Sequence, residues 1–113
     1  MTIRPYSFPA LCAAAALALS VTVPGVAAEP NPEHGKALVE LNCGRCHGVG
    51  VDDESPHPQA PPFRTLSERY PIDAIEEAFA EGIVTGHPDM PEFAATPEQI
   101  SDIIAYISSL QPE

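Results

Sequence analysis

The apolar positions of this chain form one continuous run near its start and three helical stripes after it. Leu11 to Val23 is apolar and rich in alanine and leucine. It is shorter than the ~20 residues that cross a bilayer. Arg4 precedes the run, Pro24 and Gly25 break it, and Val26-Ala27-Ala28 supplies small residues at the end. That order predicts a secretory signal peptide, residues 1–28, cleaved after Ala28. Cys12 opens the apolar run and follows bulky Leu11, which does not suit lipidation. No stable membrane anchor is expected, and residues 29–113 form one domain.

Within that domain the period is helical. Asn31 caps a first helix with Pro32 at its first position. Gly35, Leu38, Val39 and Asn42 then fall on one nearly apolar face. Gly48 to Pro62 has no period and is rich in proline and acid, so it reads as loop. Phe63 to Tyr70 allows a short helical turn. A middle helix is predicted over Pro71 to Glu81, with Ile75, Ala78, Phe79 and Gly82 in register. Asp73 and Glu76 suggest a capping box there, while Pro71 at the first helical position would place the start earlier, and Gly82 suits a left-handed terminator. Ile83 to Ala95 is a second loop. The last helix has Thr96 as cap, Pro97 first and Gln99 closing a capping box. Its stripe is Ile100, Ile103, Ile104, Ile107 and Leu110, with Tyr106 beside it. No useful strand alternation follows the leader, so the fold class is all-α.

Composition changes this picture in two ways. Loss of the leader leaves 85 residues, and the full chain has fourteen prolines and no tryptophan. A domain of that size and make-up has a thin core and benefits from a staple or cofactor. Loss of Arg4 also takes the formal charge from −11 to −12, with all sixteen acidic residues retained. Nucleic acid and anionic membranes are therefore disfavoured partners. A basic patch on a protein partner fits the charge, and so does simple solubility.

The cysteines supply the chemistry. With Cys12 gone, only Cys43 and Cys46 remain, in Cys43-Gly44-Arg45-Cys46-His47. Two cysteines at this spacing with histidine directly after form the attachment signature of c-type haem. Each sulfur can add to one vinyl group of a single porphyrin, and His47 can then bind the iron as proximal ligand. A zinc site would need more ligands, and no second cysteine pair exists. A thioredoxin-like pair would need strands, which the pattern lacks.

With these residues and this helix order, the domain resembles a class I, monohaem, bacterial c-type cytochrome. The resemblance spans nearly all of it: N-terminal helix, CGRCH, proline loop, middle helix, methionine loop and C-terminal helix. It implies one covalent haem c, with the N- and C-terminal helices crossing and the middle helix and loops wrapped around the group. It implies that Met90, in Met90-Pro91-Glu92-Phe93 and 43 residues after His47, is the second axial iron ligand. Met90 is also the one methionine outside the leader. A thioether favours ferrous iron relative to a second imidazole. His87, three residues earlier, is the rival ligand, and His34 and His57 read as surface residues.

The resemblance further implies that Gly35 and Val39 pack against Ile103 and Tyr106. It implies that the carbonyl of Pro61, or of Pro62, accepts a hydrogen bond from His47 and fixes its ring. Arg45, Arg64, Arg69 and Tyr70 are candidates for propionate contacts. The function implied is periplasmic single-electron transfer by a monomer that is not an enzyme. Its donor is a periplasmic dehydrogenase or quinol-oxidising complex, and its acceptor an oxidase or reductase. The alternatives are a fixed cytochrome subunit of one dehydrogenase, or a haem sensor of small ligands.

Overall fold

The computed structural model describes residues 1–5, 20, 25–83 and 87–113. Most of the predicted apolar leader lies outside the described residues. Among those described, no helix is long and apolar enough to cross a membrane.

The described residues form three α-helices and one 3₁₀ turn: α1 (Pro32–Asn42), the 3₁₀ turn (Phe63–Glu68), α2 (Ile72–Ala80) and α3 (Pro97–Leu110). No sheet forms among the described residues. A lone antiparallel bridge pairs Ile83 with Phe93 and closes the base of the methionine loop. The all-α expectation therefore holds.

Local chemistry explains the helix ends. The Asn31 side chain accepts from the N–H groups of Glu33 and His34, and Pro32 sits where no N–H is needed. The Thr96–Gln99 capping box forms in both directions. The capping box expected at Asp73 and Glu76 does not form. Pro71 ends the extended chain and α2 begins at Ile72, so Asp73 is already inside the first turn. Its charge there still complements the helix dipole. Gly82 has φ 78° and ends α2, a conformation strained for any side chain.

The helices α1 and α3 cross at Gly35. A Cβ on Gly35 would lie 1.9 Å from the carbonyl oxygen of Asp102 and 2.9 Å from the backbone nitrogen of Ile103. Glycine is the residue that allows the two backbones to meet. Val39, Ile103 and Ile107 are almost fully buried around this crossing. Val49, Phe63, Leu66, Phe79, Ile100 and Tyr106 complete the core. The expected pairing of Gly35 and Val39 with the Ile103 side of α3 is thus the centre of the fold. Tyr106 is buried as well, and its hydroxyl donates to the Val49 carbonyl at 2.7 Å. That bond ties α3 to the segment just after His47.

Candidate haem site

The CGRCH segment continues the winding of α1. The N–H groups of Cys43 and Gly44 both reach the Val39 carbonyl, and those of Cys46 and His47 reach the Cys43 carbonyl. Cys43 and Cys46 are therefore one helical turn apart, a spacing that sets side chains side by side. Gly44 is required inside this turn, because a Cβ there would come within 2.8 Å of the Glu40 carbonyl.

Both cysteines are free thiols and half-buried. Burial, helped by the neighbouring Cys46, pushes the Cys43 thiol up to about 11. A dithiol poised for disulfide exchange has its leading thiol depressed, not raised. The raised Cys43 thiol is the opposite of that depression, and two thiols on one turn suit addition to the two vinyls of one porphyrin.

His47 is oriented from two sides. Its Nδ1 hydrogen bonds to the Pro61 carbonyl at 2.8 Å. Of the two candidate prolines, Pro61 makes this contact. A carbonyl only accepts, so Nδ1 carries the proton and Nε2 holds a free lone pair. The buried ring of Phe63 lies 5.1 Å from the imidazole, tilted by 49°. The Phe63 N–H bonds to Gly48 O at 2.8 Å, so Pro61 and Phe63 are held against the attachment segment. An imidazole with one nitrogen committed to a backbone acceptor is the usual state of a metal-binding histidine. Two thiols on one turn and one oriented imidazole beside them fit a covalent haem.

The acidic stretch after the attachment segment is folded back rather than loose. Gly48 N–H donates to the Ser55 hydroxyl and Gly50 N–H to the Asp53 carboxylate. A Cβ on Gly48 would lie 2.3 Å from the Asp53 carbonyl. Arg64 bonds to that same carbonyl and to the Glu54 carboxylate. Arg64 is thus engaged in pinning this loop. Arg45 and Arg69 are exposed, as is Tyr70.

Met90 stands half-buried in the second loop, with its N–H on the His87 carbonyl at 3.2 Å. His87 is engaged through both ring nitrogens, with Gln59 and with the Asp89 N–H. His34 joins Asp102 at the α1–α3 crossing. His57, expected at the surface, is instead half-buried. Its N–H donates to the Cys46 carbonyl at 3.1 Å and its ring meets Asp89. Gln59, Asp89, Asp102 and Gln111 carry structural roles that hydropathy does not mark. One signal for Gln59 and Asp89 does exist in the sequence: His-Pro-Gln at 57–59 is echoed by His-Pro-Asp at 87–89.

A family model described as cytochrome c matches residues 32–111. The chain is similar to cytochrome c-552 of Bradyrhizobium diazoefficiens, with 33% identity over 79 residues, 70% of this chain and 74% of that one. It is also similar to a cytochrome c-553-like protein of Synechocystis sp., with 26% identity over 86 residues, 75% of this chain and 74% of the relative. No solved structure matches it at a comparable level.

Proposed function

The chain belongs to the cytochrome c family, a haem c protein of electron transfer, and from that premise we propose that it is a periplasmic one-electron carrier with a His/Met-ligated haem. Cys43 and Cys46 would hold the group through thioether bonds, and His47 and Met90 would be the protein ligands of its iron. The group supplies reversible ferrous–ferric chemistry when bound.

The rest of the work falls to the polypeptide. The Pro61 carbonyl keeps His47 in one tautomer, with Nε2 as the donor atom. Phe63 limits rotation of the ring. Pro88 and Pro91 stiffen the approach to Met90, which keeps ligand movement small between oxidation states. With His47 and Met90 both ligating, the iron would have no position left for a substrate. The protein therefore carries electrons and is not an enzyme. Its donor and acceptor are other exported redox proteins, and its acidic charge suits partners that present a basic patch.

The observation that carries this reading is the His47–Pro61 bond, which leaves one nitrogen lone pair free beside two thiols on a single turn. A potentiometric titration of the exported holoprotein, read by visible spectra, tests it. The expected result is one reversible one-electron transition and a ferrous form that does not bind carbon monoxide. High-spin ferric haem with ready carbon monoxide binding would favour a small-ligand sensor and overturn the carrier reading.

A further inference from the structure

Two tripeptides, His57-Pro58-Gln59 and His87-Pro88-Asp89, contact each other directly and bond in the same way. In the first, the Gln59 N–H donates to its own His57 Nδ1 at 3.2 Å. In the second, the Asp89 N–H donates to its own His87 Nδ1 at 3.3 Å. Each ring therefore accepts at Nδ1, and the proton of each neutral imidazole sits on Nε2. Those Nε2–H groups then cross over. His57 donates to the Asp89 carboxylate at 3.2 Å, and His87 donates to the Gln59 side-chain oxygen. The two rings meet edge to face, 5.7 Å apart at 90°. The proline inside each tripeptide fixes φ and removes a competing donor, which helps each N–H turn back on its own ring.

This cluster is not built to hold a metal. All four ring nitrogens are occupied by hydrogen bonds. Among the described residues, no group of three His, Cys, Asp or Glu side chains stands in metal-binding geometry.

Its connections lie elsewhere. On one side, the His57 N–H is bonded to the Cys46 carbonyl. On the other, the His87 carbonyl accepts from the Met90 N–H. A continuous path of hydrogen bonds thus runs from the haem-attachment turn to the methionine. The geometry points to a reciprocal His-Pro-Gln/His-Pro-Asp clasp whose role is to hold Met90 in place. His57, Gln59 and Asp89 are then positioning residues for the sixth ligand. This rests on Met90 being that ligand and adds what keeps it there.

The test uses the ferric holoprotein and added imidazole, which competes with Met90 for iron. Gln59→Ala removes one crossing acceptor, and Gln59→Glu keeps one. The clasp is half-exposed, so the effect is that of about one ordinary hydrogen bond. Imidazole should bind about three- to tenfold more tightly to Gln59→Ala than to wild type. Gln59→Glu should stay within about twofold of wild type, a rescue that a mere loss of side-chain bulk would not show. His57→Ala, which loses its bond to Asp89, its acceptor for Gln59 and the ring contact, should loosen the site further. The urea midpoint of the helices should barely move in Gln59→Ala. Equal imidazole affinity in wild type and Gln59→Ala overturns the clasp, and so does an equal gain in Gln59→Ala and Gln59→Glu. Met90→Ala is the control. If it abolishes the sulfur-to-iron absorption while Gln59→Ala has no effect, the clasp alone fails. If that absorption survives Met90→Ala, the ligand reading beneath it fails too.

Discussion

Gly35→Ala places one methyl group where α1 and α3 touch. The added Cβ would sit 1.9 Å from the Asp102 carbonyl oxygen and 2.4 Å from its carbon. Real Cβ atoms essentially never approach closer than 3.0 Å, so the backbones must part by about 1 Å. The atom in the way is backbone, and no side-chain rotation can relieve it. Overfilling a packed interface costs about 1–3 kcal/mol. Opening the crossing also loosens Val39, Ile103 and Ile107, the most deeply buried side chains among the described residues. Against this stands a gain of about 1 kcal/mol from replacing glycine inside a helix. The expected net loss is about 1 kcal/mol. In a domain of this size that lowers Tm by roughly 4–8 °C. Urea and thermal unfolding of the holoprotein, followed by far-ultraviolet circular dichroism, measure it. A change below about 0.5 kcal/mol, or a stabilisation, would refute a backbone contact at Gly35.

Other outcomes follow from single contacts. Tyr106→Phe leaves the Val49 carbonyl without its buried donor and should cost about 1–2 kcal/mol in a urea titration, with the spectrum of the group intact. The Asn31 N–H, then His34, hold the Asp102 carboxyl below its ordinary value of 3.8. The folded state therefore favours the ionised form. The contribution of Asp102 is complete above the ordinary value and is lost as pH falls through it toward the lower folded one. Acid titration of stability should show that loss, and Asp102→Asn should flatten it.

Much of the fold is legible in the sequence because its signals are local. Asn31-Pro32 and Thr96-Pro97 with Gln99 mark helix starts, and both form as expected. The isoleucine stripe of α3 names its buried face. The crossing at Gly35 and Val39 is legible only through the family resemblance, which fixes their distances before Cys43; the apolar spacing alone shows just a buried face. The capping box at Asp73 fails because Pro71 fixes where α2 begins. The attachment motif is legible because it is contiguous; the resemblance implies a proline carbonyl on His47 but leaves Pro61 and Pro62 open, and the fold of the loop selects Pro61. What joins distant segments is not legible. Hydropathy gives no sign that Asp102 grips the start of α1, that Arg64 pins the acidic loop, or that Gln111 reaches Ser67 and Phe63. These are polar contacts 10 to 71 residues apart, and only the three-dimensional path of the chain sets them. The clasp is intermediate. Its two tripeptides are visible as a repeat, but their crossing requires the loops to meet.

The most direct test of the proposed His47/Met90 ligation is the far-red absorption of sulfur bound to ferric haem iron. It is measured on the wild-type holoprotein and on Met90→Ala. The band should be present in the wild type and absent in Met90→Ala, with the reduction potential lowered in the variant. An unchanged spectrum in Met90→Ala would show that another residue faces His47 across the iron.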